Sequence, residues 1–291
     1  MTRREFLLFS SLCLIWGIPY LLIKVAIVDF SPIIVVFLRT LIAAVLLIPL
    51  AAKRGELMPA IKAWRWVLVF ALLEMVGPWW LLNDSETRVS SGFAGLMLAT
   101  VPLTGVIVNF FMGDKTVFQS RRLIGMAVGF VGVVSLVGLD INAGKVDTRS
   151  IVQLLLVAFG YSLAPAIAAR KLQGVSIIGL VGVSAAMVAI IYAPPSILTW
   201  HSINPTTKGI LAVIVLGVVC TAIAFLVLFE LIKTIGPIRV TLVTYVNPAV
   251  AIVLGIIFLS EKITTGTLIG FPLVLIGSYL ASSKKKEALK S

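Results

Sequence analysis

Between Ile177 and Leu198 the chain carries no charged side chain, and runs of the same kind recur along nearly its whole length. Residues 6–28 and 32–51 hold one charge each, Lys24 and Arg39. A helix of about 20 apolar residues spans the hydrocarbon core of a bilayer and satisfies its own backbone polar groups, as any segment without water around it must. Charged residues make up only 12% of the 291 positions, about half of the roughly 25% that covers a soluble domain. The fold class expected is therefore all-α and integral to the membrane. The runs place ten helices at about 6–28, 32–51, 66–84, 91–112, 122–139, 151–170, 177–198, 208–231, 238–259 and 267–282. Breaks between them carry turn chemistry, including Ser31-Pro32, Lys53-Arg54-Gly55, Asn204-Pro205 and Gly236-Pro237.

Net charge is +12, which in a soluble protein would point to nucleic acid. Here the basic residues sit in the gaps between apolar runs, so they report topology instead, and no nucleic-acid partner is expected. With the N-terminus cytoplasmic, seventeen Lys and Arg fall on the cytoplasmic side, five outside and two within helices. That bias places both termini in the cytoplasm. Arg3 and Arg4 precede an apolar run reaching about Val28, longer than the core of a cleaved signal, so this run reads as the first membrane helix. Cys13 and Cys220 lie inside apolar runs and read as small core residues.

An internal repeat divides the chain. A shift of 146 puts Pro102 on Pro248 and Asp84 on Glu230. A shift of 145 puts Leu123-Ile124-Gly125 on Leu268-Ile269-Gly270 and Gly132 on Gly277, and a shift of 143 puts Gly17 on Gly160. Two units are expected, 1–145 and 146–291, with five helices each. Five is odd, so the second unit enters the membrane inverted, a common construction of secondary transporters.

Several motifs resemble those of the drug/metabolite transporter superfamily, EamA type. Trp16-Gly17-Ile18-Pro19-Tyr20-Leu21-Leu22-Ile23-Lys24 is similar to its first-helix signature, and Phe37-Leu38-Arg39 to its second-helix motif. Ala99-Thr100-Val101-Pro102 with Phe111-Met112-Gly113-Asp114-Lys115 resembles the end of its fourth helix, with Asp114 where Glu is usual. Tyr245-Val246-Asn247-Pro248 with Phe258-Leu259-Ser260-Glu261-Lys262 resembles the same motif in the second half. The resemblance covers roughly residues 5–283. It implies an inner-membrane (plasma-membrane) carrier of small metabolites, often an exporter of amino acids, working without a cofactor. It also implies a central cavity lined by the first, third, fourth, sixth, eighth and ninth helices.

Candidate site residues fall in three groups. Glu74, deepest of the acids, reads as a proton-coupling or substrate-amine site, or as a carboxyl held between helices; charge at this depth is costly. Arg39 reads as a brace, with carboxylate binding as the alternative. Lys24 snorkels to a helix end, and Asp84 and Glu230 are either helix-end charges or gates. Trp16, Tyr20, Trp79, Trp80, Tyr161 and Tyr245 form the aromatic group, with Thr100, Thr244, Asn109 and Asn247 as polar contacts. The substrate cavity is expected to use Trp16, Tyr20, Glu74, Trp79, Thr100, Tyr161, Tyr245 and Asn247. Pro19, Pro78, Pro102, Pro165 and Pro248 each remove a helix hydrogen bond and mark hinges or static kinks. Gly125-xxx-Gly129 and Gly266-xxx-Gly270 are small faces for helix packing, within the chain or in a homodimer.

No HExxH, GxSxG or GxxxxGK[ST] motif is present, no metal site is expected, and His201 is the only histidine. The expected function is a secondary transporter rather than an enzyme. It moves a small organic solute by alternating access, either coupled to protons through Glu74 or as a facilitator or exchanger. A lipid-acting membrane enzyme and a non-transporting scaffold are the alternatives.

Overall fold

The computed structural model describes residues 2–113, 118–142, 146–200, 204–236, 240 and 242–282. Expectations resting on Asp114, Lys115, Lys145, His201, Pro237, Arg239, Lys284, Lys285, Lys286 and Lys290 lie outside the described residues. Among the described residues all regular structure is helical. Eight helices are long and apolar enough to cross a membrane. They are α1 (Arg3–Ala26), α2 (Pro32–Lys53), α3 (Trp64–Ser85), α4 (Ser91–Phe111), α5 (Ser120–Asn142), α6 (Thr148–Lys171), α7 (Ile177–Thr199) and α8 (Thr207–Ile235). Two shorter apolar helices follow, α9 (Val243–Leu259) and α10 (Thr265–Ser282). The chain is thus a multi-pass membrane protein. The start of the apolar run expected at 238–259 lies partly outside the described residues.

Side chains define the ends. Thr2 and Glu5 form a reciprocal capping box on α1, and Ser31, Ser90, Asp147, Ser176 and Thr206 each accept from a backbone N–H of the first turn they precede. Gly236, at φ 83°, stops α8 in a conformation that glycine adopts without strain.

Helix pairing follows a pattern. The most extensive contacts join α5 to α10 and α2 to α7. α1 packs on α9 and α6 on α4; α3 packs on α6 and α8 on α1; α4 packs on α9. Each contact recurs when both partners are advanced by five helices. The α5–α10 seam is built from small residues: a Cβ on Gly277 would strike the backbone of Gly129 and Gly125, and one on Gly125 would strike the backbone at Ala281. Gly266 and Gly270 are likewise filled by Leu136, Asp140 and Gly132 of α5. Both small-residue faces are therefore spent inside the chain rather than on a second copy.

Contacts at the ends of α1 fix the relative directions of several helices. At its start, Arg4 pairs with Glu230 near the end of α8. At its far end, Asp29 accepts from Thr206, the residue that caps the start of α8. Lys24 donates there to the carbonyls of Glu86 and Val89, just past the end of α3. Asp84, two residues before Glu86, bonds Arg149 and Gln153 in the first turns of α6. So α8 runs against α1, and α6 begins at the end of the bundle where α1 finishes.

Gly277→Ala should cost about 1–3 kcal/mol, because the seam has no room to relax. Gly138→Ala, in the same helix pair but with nothing within 4 Å of the added carbon, should be neutral or slightly stabilising. Thermal midpoints of the two detergent-purified variants check this.

Candidate substrate cavity

Three helices depart from α geometry near the middle of the bundle. α3 contains a π turn at Leu72–Val76 and α8 another at Val218–Ile223. A shift of 146 superposes them, placing Glu74 on Cys220. α4 tightens to a 3₁₀ turn at Leu98–Thr100 just before Pro102. A π turn displaces the side chains that follow and leaves carbonyls without their usual partners. Pro78 adds to this, because it has no N–H to give the Glu74 carbonyl.

These irregular segments enclose a cavity of about 250 Å³, just under the roughly 300–1,000 Å³ of drug-sized sites. Its wall takes Trp16, Pro19 and Tyr20 from α1, Arg39 from α2, and Glu74, Trp79 and Leu82 from α3. α4 adds Leu98 and Val101, and α6 adds Tyr161 and Pro165. α8 contributes Cys220 and Phe225, and α9 contributes Thr244, Asn247 and Pro248. Trp16 and Phe225 meet edge to face at 5.9 Å.

Six of the eight expected cavity residues come together here: Trp16, Tyr20, Glu74, Trp79, Tyr161 and Asn247. Two do not. Thr100 turns its hydroxyl back to the Met97 carbonyl at 2.6 Å, satisfying an acceptor at the 3₁₀ turn, and is buried. Tyr245 points toward α10, where its hydroxyl donates to the Ser278 carbonyl at 3.1 Å and its ring meets Tyr279. Asn109 also departs from expectation, sitting exposed on α4. Among the prolines, Pro19, Pro165 and Pro248 line the cavity; Pro78 and Pro102 adjoin the π and 3₁₀ turns without facing it. Asn247, with its amide nitrogen turned to the carbonyls, donates to Val243 at 3.0 Å and Cys13 at 3.2 Å, tying α9 to α1.

Arg39 lies on the wall, where the sequence suggested a brace. Its Nε donates to Thr221 Oγ1 at 2.8 Å, and its guanidinium carbon lies 3.8 Å from the centre of a Trp79 ring. Thr221 can accept because its own proton goes to the Leu216 carbonyl, five residues back, across the π turn. Glu74 has one carboxyl oxygen, Oε2, buried with no hydrogen-bond partner among the described residues. Arg39 and Glu74 share the cavity yet form no ion pair with each other. The π turn of α8 and its hold on Arg39 left no mark in the hydropathy pattern. The Cys220-Thr221 pair inside an apolar run is its faintest trace.

A second polar cluster lies outside the spans. Glu261 closes back on α4, accepting from the backbone N–H of Ser91 at 2.7 Å and Gly92 at 3.0 Å. Glu86 is fully buried between α3 and α4, with neither carboxyl oxygen bonded among the described residues. Burial holds its carboxyl well above the usual carboxylate range; Lys24 opposes this and Glu261 reinforces it.

A model of the EamA-like transporter family matches residues 3–138 and again 148–283. The chain belongs to the EamA-like transporter family. The uncharacterized inner membrane transporter YedA of Escherichia coli K12 is 26% identical over 288 residues, covering 94% of this chain and 91% of the relative. The uncharacterized transporter YvbV of Bacillus subtilis is 25% identical over 286 residues, covering 97% and 93%. One solved crystal structure superposes with a TM-score of 0.68 at 20% identity, covering 97% of each chain, which supports the fold alone. Membership makes the chain a membrane transporter, and a small-molecule substrate follows from the family.

Glu86 makes a pH prediction. The folded state keeps its proton to higher pH than the unfolded state does. Stability therefore falls as pH rises above the ordinary carboxylate range, by at most about 1.4 kcal/mol per unit, until the folded carboxyl also ionises. Glu86→Gln should raise the thermal midpoint relative to the parent, and by more at pH 8 than at pH 5. Equal midpoint differences at the two pH values would contradict this.

Proposed function

We propose that this transporter carries a small organic solute bearing a carboxylate, such as an amino acid, by alternating access between two inverted five-helix halves, 1–145 and 146–291. The observation that carries the reading is an arginine and a carboxyl group that line one aromatic cavity without pairing with each other. Arg39 is held by Thr221 and Trp79, among the described residues its terminal nitrogens meet no carboxylate, and Glu74 faces the same space. A planar guanidinium fork matches a carboxylate in two parallel hydrogen bonds. An ammonium group fits Glu74, and the rings of Trp16, Tyr20, Trp79 and Tyr161 suit an apolar or flat side chain.

Support for two inverted halves comes from three directions: the twofold family match, the contacts that recur five helices on, and an α6 that begins where α1 ends. The charge bias of the loops supports cytoplasmic termini. Glu74 is the coupling group in this reading, releasing or taking a proton as the solute exchanges. Export is the direction we favour, on the family resemblance.

Counterflow of labelled amino acid in proteoliposomes tests the carrier itself, since a scaffold exchanges nothing. Arg39→Gln should weaken the apparent affinity for carboxylate solutes about 10- to 100-fold, the worth of a charge-assisted contact, while leaving carboxamide analogues nearly unaffected. Equal losses for both would remove Arg39 as the carboxylate reader. Glu74→Gln should abolish uptake driven by a pH gradient while counterflow persists at saturating solute with a weakened apparent affinity; unchanged gradient-driven uptake would take Glu74 out of the coupling.

A further inference from the structure

Two ion pairs outside the cavity occupy corresponding places in the two halves. Asp84, near the end of α3, pairs with Arg149 at the start of α6 at 3.0 Å. Glu230, near the end of α8, pairs with Arg4 at the start of α1 at 2.9 Å. A shift of 146 carries Asp84 onto Glu230, and a shift of 145 carries Arg4 onto Arg149. Sequence symmetry alone pairs the acids; the structure adds that each finds the corresponding arginine. The two pairs also lie at opposite ends of the bundle. Arg4 sits at the start of α1, whereas Lys24, twenty residues on, reaches the carbonyl of Glu86 beside Asp84. Twenty residues of helix rise about 30 Å, the thickness of the hydrocarbon core.

Each pair fastens two helices that line the cavity. Asp84–Arg149 joins α3 to α6, which carry Glu74 and Tyr161; Arg4–Glu230 joins α8 to α1, which carry Phe225 and Trp16. We propose that these pairs are the two latches of the transport cycle, one at each membrane face, each breaking when the cavity opens to its own side. The idea rests on the alternating-access reading above. Both latches are closed in this structure.

The latches are unequal. Asp84 Oδ2 also accepts from Arg88 at 3.0 Å and Gln153 at 2.8 Å, and its side chain is 17% exposed. Arg88 extends the network to Ser150 and Asp147. Among the described residues Glu230 forms an ion pair with Arg4 alone, and Arg4 is 74% exposed. An exposed single pair is weak and is screened by salt, whereas a half-buried network is less so. The Arg4 face therefore opens more readily, and added salt favours that opening.

The test reads access directly. Cys13→Ala and Cys220→Ala remove the native thiols, and Thr244→Cys places one on the cavity wall. A membrane-impermeant thiol reagent is then applied to right-side-out and inside-out vesicles. Arg4→Gln should raise labelling about two- to fivefold from the Arg4 face only. Arg149→Gln should raise it from the Asp84 face only, and by less than Arg4→Gln does on its own face, because Gln153 and Arg88 still hold α3 to α6. The swap of Arg4→Glu with Glu230→Arg, and the conservative Arg149→Lys, should each return labelling toward the parent rate. Rates that do not change, that change on the same face for both variants, or that the restoring variants leave elevated would overturn the latches. Counterflow in the same vesicles separates the two ideas. Face-specific labelling without counterflow sinks the carrier reading and leaves the latches. Normal counterflow with unaltered labelling does the reverse.

Discussion

A backbone surrounded by hydrocarbon has to find its hydrogen-bond partners within the protein, and this constraint shapes the middle of the bundle. Regular helices meet it unaided. The π turns of α3 and α8 and the 3₁₀ turn of α4 do not, so side-chain hydroxyls are spent on them. Tyr192 donates to the Val76 carbonyl at 2.7 Å, Thr221 to Leu216, Thr100 to Met97, and Ser278 to Ala99. The cavity exists because these irregular segments can be satisfied by neighbouring helices and by the space they enclose. Thr100 and Ser278, polar residues inside apolar runs, are thus explained by backbone repair and not by solute contact.

The same constraint governs charge. Moving an ionised side chain to the centre of a bilayer costs about 2.5–3.5 kcal/mol on insertion scales. Arg39 offsets that with a hydrogen bond to Thr221 and the face of Trp79, and among the described residues it has no carboxylate partner. A structural brace would be better served by pairing Arg39 with Glu74 than by leaving the two apart. On the proposed reading, their separation leaves both groups for the solute. By contrast, Asp84 and Arg149 at one bundle end pair directly with each other.

Much of this architecture could be read from the chain alone, because the bilayer imposes a simple code of apolar length, turn residues and basic loops. The all-α membrane class and most helix positions follow from that code, and six of the eight residues expected at a cavity do line one. What escaped it has a common cause. Facing direction on a helix that is apolar all round cannot be read from hydropathy, so Tyr245, which faces α10, looked equivalent to Tyr161, which faces the cavity. A single π turn then rotates everything after it, which is how Arg39 acquired a partner in Thr221 that no spacing rule pointed to. The small-residue faces at Gly125 and Gly270 were recognisable, but sequence could not say whether their partner was a second copy or another helix of the same chain. The backbone of α5 against that of α10 answers it.

The shared π turn has a consequence for how such a protein can change. Both halves hold the extra residue at the same place, yet one half presents a carboxylate there and the other a thiol, Glu74 and Cys220. The bend is common property, while the side chain at its crest is free to differ. Exchanging that one side chain alters the charge presented to the cavity while the bend that carries it stays in place. Substitution at either crest can therefore change the chemistry of the cavity, with the membrane-spanning frame left as it was.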